Sequence, residues 1–203
     1  MTKGSIDRRV DRTRTALHNA LLSLILTRDY DAITVEDICE MANVGRSTFY
    51  AHYMSKDDLK RSGIDDHLRH VLAGHQREAA TTPGGGNPSC RFGFSLAMFE
   101  HAREHQALYR ALAGGRGGAI TLTAMRKMLS DLIRIELASD RPVASPQAPP
   151  LDFTVQFVVG AYMAILIWWL DGGAKLAPQK VDAMFRQLIT EGVAQDCGSA
   201  HTA

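Results

Sequence analysis

Residues 34–56 read TVEDICEMANVGRSTFYAHYMSK, and this stretch decides the fold. Thr34 and Asp37 have the spacing of a capping box, in which a hydroxyl and a carboxylate satisfy free backbone donors at the start of a helix. Asn43 can adopt the left-handed conformation that ends a helix, and Gly45 permits a tight turn directly afterwards. The pattern therefore predicts two short helices, beginning at residue 34 and at about residue 46, joined by a tight turn.

The two predicted helices carry different chemistry on their two faces. Apolar side chains that could hold the pair together lie on the inner face: Val35, Ile38, Ala42, Val44 and Phe49. Hydrogen-bonding side chains lie on the outer face of the second helix, which is predicted over about residues 46–53: Arg46, Ser47, Thr48, Tyr50 and His52. Arginine, hydroxyl and imidazole donors suit base edges and phosphates, and this segment contains no carboxylate. The pair fits a DNA-reading helix-turn-helix, although two short helices around a glycine also occur in all-α proteins that bind no DNA.

Positive charge flanks this pair on both sides. Lys56 lies at the start of the next predicted helix, where its ammonium and the helix-end amides could both bind a phosphate, and Thr34 stands similarly before its own helix. Ser55 and Asp58 form a second capping-box pattern there. The arginine-rich segment at residues 8–14 could lie along a phosphate backbone or enter a minor groove.

Apolar periodicity along the rest of the chain predicts an all-α protein of about nine helices. The predicted helices cover about residues 8–28, 34–42, 46–53, 55–78, 90–104, 105–113, 120–138, 151–170 and 178–195. Glycine- and proline-rich stretches at 81–89, 114–118 and 139–150 predict breaks between them. We predict an N-terminal domain of three helices over residues 1–54 and a helical body for effector binding and dimerisation over residues 55–203.

Composition places the chain among globular proteins. It has 203 residues, 45% of them apolar, and a formal net charge of only +1, so any DNA-binding charge must be local. Its three cysteines, at 39, 90 and 197, are far apart and predict neither disulfides nor a zinc site. The N-terminus does not resemble a secretory signal, and the longest apolar run, residues 157–170, is shorter than the roughly 20 residues that a membrane span needs. These features predict a cytoplasmic protein.

The helix-turn-helix segment resembles the N-terminal domain of TetR-family transcriptional regulators. The family pattern reads aITV.DIa..AgVs.gTFY.HF.sKe.L, and this chain reads AITVEDI at 32–38, ANVGRSTFYAHY at 42–53 and SKDDL at 55–59. The match is dense and ordered over about 50 residues. Met54 departs from the family pattern, because members often carry a polar or basic residue at this position.

The resemblance implies an Ω-shaped homodimer that binds a near-palindromic double-stranded DNA operator and, in most members, represses until a small molecule binds the body. By position, Arg46, Ser47 and Thr48 would lie near bases. The same correspondence would place Tyr50, His52, Lys56 and Thr34 mainly on phosphates. The effector itself is not defined by the sequence, and neither is the sign of regulation.

The apolar C-terminal helices are predicted to form the dimer interface. Residues 151–170 are too apolar for a helix with a solvent face, and Gly160 and Ala164 form a small-residue ridge that another helix could approach. Together with residues 178–195 they would give a four-helix interface around a two-fold axis. The predicted interface residues are Phe157, Gly160, Ala161, Ala164, Val181, Phe185 and Leu188. A monomeric core is the alternative.

The sequence also predicts a ligand pocket in the body. Large side chains at helical spacing that could line it are Phe94, Met98, Tyr109, Tyr162 and Trp168, and each could equally be plain core. The spacing of His67, His70 and His75 favours solvated histidines over a metal site, and no cofactor is expected.

Two other functions compete with the regulator. A protein-partner adaptor or co-activator on the same scaffold would not bind DNA itself, and the nearly neutral charge of residues 1–62 keeps that alternative open. An enzyme is disfavoured, because the sequence contains no glycine-rich phosphate loop, no GxSxG elbow and no metal motif.

Overall fold

The computed structural model describes residues 3–81, 92–113, 117–139 and 149–191. These residues form α-helices and one short 3-10 helix, Tyr30–Ala32, without a strand among them. The nine helices are α1 (Lys3–Ile25), α2 (Val35–Ala42), α3 (Arg46–His52), α4 (Lys56–Thr81), α5 (Phe94–Glu104), α6 (Gln106–Ala113), α7 (Gly117–Ser139), α8 (Leu151–Asp171) and α9 (Pro178–Glu191). The all-α prediction is confirmed.

The capping signals in the sequence set the bounds of α2. The Thr34 hydroxyl accepts the backbone N–H of Asp37 at 3.1 Å, and the Asp37 carboxylate accepts the N–H of Thr34 at 2.7 Å. At the other end, Asn43 has φ 51° and ψ 49°. This is the left-handed conformation, which asparagine adopts more readily than most other non-glycine residues and which commonly ends a helix. The capping box and the C-terminal stop are therefore where the sequence predicted them.

The second capping box differs from its prediction in one contact. The Ser55 hydroxyl accepts the N–H of Asp58 at 3.1 Å, as expected. The Asp58 carboxylate, however, accepts the N–H of Met54 at 3.1 Å, one residue before the capping serine. The carboxylate thus ties the link between α3 and α4 to the first turn of α4.

The described residues belong to two compact units. Those within 1–69 and 107–125 form the first unit, and those within 70–106 and 126–203 form the second. The functional division at residue 54 stays a prediction. The core of the first unit joins one face of α1 to the inner faces of α2, α3 and α4; its largest fully buried members are Leu17, Ile33, Ile38, Phe49 and Leu59.

The second unit has an aromatic core between α5, α8 and α9. The ring of Tyr162 lies 4.9 Å from that of Phe99, 5.7 Å from Phe94 and 5.6 Å from Phe185, measured between centroids. Aromatic rings at these separations add favourable edge and offset contacts to the area that they bury. Helix α8 is long and apolar enough to cross a membrane by length and composition, and its packing against α5 and α9 accounts for much of that apolar character.

Several predicted boundaries are revised. Helix α1 begins at Lys3, five residues before its prediction, and α7 begins at Gly117, inside the predicted break at 114–118. Helix α5 begins at Phe94, four residues after its prediction. Residues 82–91 and 140–148, which hold most of two predicted breaks, lie outside the described residues, as do the predicted last turn of α9 after Glu191 and the cysteines at 90 and 197.

Candidate nucleic-acid interface

The helix α3 presents its polar residues to solvent because its apolar residues are fixed inside. Phe49 is fully buried and Tyr53, directly after the helix, is 3% exposed. Residues on the opposite side of the helix are therefore turned outward: Arg46, Ser47 and Tyr50 are exposed, and Thr48 and His52 are half-buried. The five α3 residues predicted to contact DNA thus all keep accessible surface on the same short helix.

A polar network holds the end of α3 against α1 and α4. The Tyr53 hydroxyl accepts a hydrogen bond from Arg14 Nε at 3.2 Å and lies 3.1 Å from His18 Nε2. Arg14 also donates to the hydroxyl of Ser62 at 3.3 Å. Burial lowers the pKa of His18, with Asp66 acting in the opposite direction. Arg14, predicted only as part of a basic segment, is therefore tied to Tyr53 and Ser62, with 43% of its side chain exposed.

Thr34 caps the N-terminus of α2. Its hydroxyl lies 2.6 Å from a carboxylate oxygen of Asp37, to which it donates, while it accepts the Asp37 N–H. These contacts, followed by a hydrogen bond from Arg28, lower the pKa of Asp37. Thr34 is exposed, but its hydroxyl proton is already engaged in the cap, so its phosphate contact stays a prediction.

The ammonium of Lys56 has a different environment from the one that the sequence suggested. It donates to the backbone carbonyls of Tyr30 at 2.9 Å, Asp31 at 3.2 Å and Ile33 at 2.7 Å. An ammonium has three N–H donors, so all of them are used in this structure. A direct phosphate contact would have to replace one of these bonds. The geometry instead makes Lys56 a clamp on the link that leads into α2.

A second lysine, Lys60, was not singled out from the sequence. It is 2% exposed, and its ammonium donates to the carbonyls of Leu112 at 3.3 Å and Gly117 at 2.8 Å. Burial lowers its pKa to about 8. One feature of the sequence does indicate that Lys60 is buried. It lies four residues before Ile64 and eight before Leu68, on the side of α4 that those buried residues share.

The ring of Tyr30 joins the two lysines. The ammonium nitrogens of Lys56 and Lys60 lie 4.6 Å and 4.3 Å from its centroid, and its hydroxyl donates to Asp57. Burial and the neighbouring Asp57 raise the pKa of Tyr30. A Cβ atom at Gly117 would come within 2.6 Å of this ring and 2.7 Å of the Lys60 ammonium, so the position has no room for a side chain. These lysine–carbonyl and lysine–ring contacts therefore add to the apolar core of the first unit by joining α4 to residues 30–33, Leu112 and Gly117.

The predicted dimer residues divide into two groups. Val181 and Phe185 are fully buried inside the second unit, so their side chains belong to its core, and their part in a dimer interface stays a prediction. The side of α9 that carries them packs onto α5 and α8. An apolar pattern alone does not distinguish such packing within a subunit from a contact between subunits. The other five predicted residues are exposed or half-buried: Phe157, Gly160, Ala161, Ala164 and Leu188.

Three further exposed apolar residues, which the sequence pattern did not predict as interface residues, lie near them in the chain: Phe153, Ile167 and Met184. Phe153 was detectable, because it precedes Phe157 by four residues and so lies on the same side of α8. We call the exposed apolar residues of α8, from Phe153 to Trp168, the outer face of α8.

The residues predicted to line the ligand pocket lie in different parts of the structure. Phe94, Met98 and Tyr162 are buried together in the second unit. Trp168 is 60% exposed and belongs to the outer face of α8, and its ligand contact stays a prediction. Tyr109 belongs to the first unit, and burial raises the pKa of its hydroxyl. None of the described residues forms a group of three or more metal-ligating side chains.

Two family models match the chain, and together they cover more than two thirds of it. The model of bacterial regulatory proteins of the tetR family matches residues 17–61, and the transcriptional regulator C-terminal region TetR_C_8 matches residues 92–191. The HTH-type transcriptional regulator YxbF of Bacillus subtilis is 47% identical over 68 residues, which make up 33% of this chain and only 18% of that protein.

Solved structures share the fold over nearly the whole chain. A TetR transcriptional regulator from Streptococcus agalactiae is 26% identical, with a TM-score of 0.63 over 93% of this chain and 99% of that one. FadR of Thermus thermophilus, a TetR-family transcriptional repressor in complex with lauroyl-CoA, is 17% identical, with a TM-score of 0.62 over 94% of this chain and 100% of that one.

Proposed function

Because this chain belongs to the TetR family of transcriptional regulators, we propose that it is a homodimeric repressor that releases a near-palindromic DNA operator when a small molecule binds. The observation that carries the proposal is the accessible polar side of α3, set on a core that fixes the helix from behind. Such a rigid support is what a recognition helix needs, because base contacts are lost when the helix tilts or slides in the groove.

The side chains of α3 suit two kinds of DNA contact. Arg46 is exposed at the first position of the helix, where its guanidinium can bind a guanine edge with two hydrogen bonds. Ser47 and Thr48 follow it and offer hydroxyls to neighbouring bases. Tyr50 and His52 lie further along the helix, where they would hold phosphates and fix the register.

Dimer formation is proposed through the outer face of α8. Phe153, Phe157 and Trp168 are 65%, 57% and 60% exposed. Large apolar side chains grouped in this way usually mark an interaction surface. Gly160 and Ala164 between them would allow a partner helix to approach closely, and Leu188 of α9 would add to the contact.

The proposed effector is a small organic molecule bound in the second unit. The complex of the T. thermophilus relative with lauroyl-CoA supports this class of ligand. Phe94, Met98 and Tyr162 are the predicted contacts, since they form part of an apolar and aromatic core that an organic ligand could enter. A cytoplasmic location, where DNA and metabolites are both accessible, is part of the proposal.

The proposal is tested by footprinting the purified protein on the intergenic DNA upstream of its own gene at about 150 mM salt, conditions that suppress non-specific binding. We expect a protected, near-palindromic site. A folded, dimeric protein that protects no site there and selects no sequence from genomic fragments would contradict it, and recovery of a protein partner would then favour the adaptor.

A further inference from the structure

The C-terminal end of α3 is tied to α1 through the hydroxyl of Tyr53. Tyr53 directly follows the helix and is 3% exposed, and its ring lies 5.6 Å from the ring of His18, measured between centroids. The hydroxyl oxygen lies 3.1 Å from His18 Nε2 and accepts a hydrogen bond from Arg14 Nε at 3.2 Å. The position of the recognition helix therefore depends on how this hydroxyl is hydrogen-bonded.

The two partners of the hydroxyl differ in what they can accept. A guanidinium has donors only, so the Tyr53 proton cannot be given to Arg14. Within the described residues, His18 Nε2 is the acceptor in reach of that proton, and an imidazole nitrogen accepts only when it carries no proton. The geometry thus assigns a neutral His18 whose remaining proton is on Nδ1.

The surroundings of His18 favour the neutral ring. Burial lowers its pKa, and Arg14 on α1 acts in the same direction, while Asp66 on α4 opposes them. The Asp66 carboxylate lies 3.9 Å from the guanidinium of Arg14, so its charge is already partly balanced. The ring also packs against Gly63 of α4, where an added Cβ would lie 3.1 Å from His18 Cδ2, and it has little room to retreat toward α4.

Protonation of His18 would reverse the role of Nε2. The nitrogen becomes a donor, the Tyr53 proton loses its acceptor, and the hydroxyl oxygen then faces two cationic donors. Two positive charges beside one atom repel each other, and they do so more strongly in a partly buried site than in water. The end of α3 would then have to shift, and the helix would lose the fixed position that base contacts need.

We propose that His18 is a positioning residue for the recognition helix and that its protonation weakens operator binding. The inference rests on the proposed operator binding and adds a regulation by pH to it. The sign follows from the proton balance, because the form that binds DNA holds a neutral His18. Affinity is therefore complete above the ordinary histidine pKa of about 6.5, and it falls as the pH drops through the lowered pKa of the folded protein.

The first test compares pH profiles of DNA binding. Wild type is compared with His18→Gln, whose amide oxygen can accept the Tyr53 proton but does not titrate, and with the exposed His70→Gln as the matched control. The affinity of each protein at about pH 5.5 is divided by its own affinity at about pH 7.5, on either side of the histidine range. Any effect of His52 on this ratio is common to all three proteins.

We expect wild type and His70→Gln to lose several-fold more affinity on acidification than His18→Gln. The limit is about tenfold, because one group with a pKa of about 6.5 or below reduces its neutral fraction by at most that factor at pH 5.5. Circular dichroism at both pH values restricts the comparison to folded protein. Equal ratios for wild type and His18→Gln would overturn the inference.

The second test asks whether His18 acts through the hydroxyl. Tyr53→Phe keeps the buried ring and removes the group that joins His18 to the end of α3. We expect its ratio of affinities to match that of His18→Gln, and the double variant should show no further change in the ratio. A wild-type ratio for Tyr53→Phe would show that His18 titrates without positioning α3, which would also overturn the inference.

A measurement without DNA separates this inference from the proposed function. NMR of the free protein follows the His18 ring and the backbone amides of α3 between the same pH values, in a His52→Gln background that removes the imidazole of α3 itself. We expect the amides to shift in step with the ring of His18, and Tyr53→Phe to abolish this coupling. Amides that do not follow the ring would overturn the inference, whereas a wild-type protein that selects no operator at either pH refutes the proposed function.

Discussion

Lys56 fixes the link into α2 through three backbone carbonyls, and this arrangement makes a prediction about stability. Lys56→Ala removes the hydrogen bonds of a charged donor and leaves the carbonyls to water. We expect a loss of about 1–3 kcal/mol, or a fall in Tm of about 2–4 °C per kcal/mol for a chain of this size. Thermal melts followed by circular dichroism, with the exposed Lys180→Ala as the matched control, measure it.

The phosphate-binding role first expected for Lys56 predicts another outcome. If the ammonium leaves its carbonyls to bind DNA, Lys56→Ala melts like the control and weakens binding to all duplexes alike. A normal Tm with reduced affinity would therefore contradict the clamp.

The buried Lys60 predicts a pH dependence with a defined sign. Its pKa is lowered from 10.5 to about 8, mainly by burial. Between these pH values the unfolded chain holds a proton that the folded protein has released, so this residue makes stability rise as the pH increases. Lys60→Met cannot titrate. Urea unfolding from pH 7 to pH 10 should show wild type gaining stability relative to Lys60→Met, and parallel curves would refute the lowered pKa.

Arg46 is the residue for which we expect a change in sequence preference. Arg46→Ala removes the side chain at the start of α3 that can bind a guanine edge, while Phe49 and Tyr53 still hold the helix. Binding should weaken by roughly 1–3 kcal/mol, and only for duplexes with the contacted base. Titrations against operator duplexes substituted at each position would show it; an equal loss on every duplex would assign Arg46 to a phosphate.

At the scale of single elements, the N-terminus of α2 depends on its capping box. Thr34→Ala removes the hydroxyl that accepts the Asp37 N–H, and N-cap losses of this kind cost about 1 kcal/mol. Thr34→Ser keeps the hydroxyl and is the control. Chemical unfolding should show Thr34→Ser about as stable as wild type and Thr34→Ala less stable than both; an unchanged alanine variant would show that the cap contributes little.

Local signals in the sequence predicted where helices begin and end, but they did not predict the tertiary contacts of individual residues. Thr34, Asp37 and Asn43 act on backbone groups within a few residues, so their spacing is enough to place the ends of α2. Lys60 and Tyr30 make contacts with residues 26 to 57 positions away in the chain, and no periodicity in the sequence reports such contacts. The apolar pattern could not separate Phe185 from interface residues, because burial within a subunit and burial between subunits select the same side chains.

At the scale of the whole molecule, the outer face of α8 predicts the oligomeric state. Phe157→Arg places a charge in the middle of an apolar contact, where an unpaired charge is strongly unfavourable. We expect a monomer by sedimentation velocity at micromolar concentration, with folded secondary structure. A persistent dimer would move the interface elsewhere.

Phe185→Ala supplies the contrast for that experiment. Its side chain is fully buried within the subunit, so truncation should cost about 3–5 kcal/mol of stability. The variant should nevertheless sediment as a dimer at temperatures where it is folded.

The bonds of Lys60 to Leu112 and Gly117 limit how freely this protein can be recombined with others. A hybrid sensor is usually built by joining the reading domain of one regulator to the ligand-binding body of another at a single crossover. A crossover shortly after residue 69 would deprive this reading domain of residues 107–125, which complete its compact unit. A buried ammonium would then face a foreign backbone, and a foreign side chain could occupy the place of a glycine that tolerates none. A working hybrid should therefore transplant both segments together.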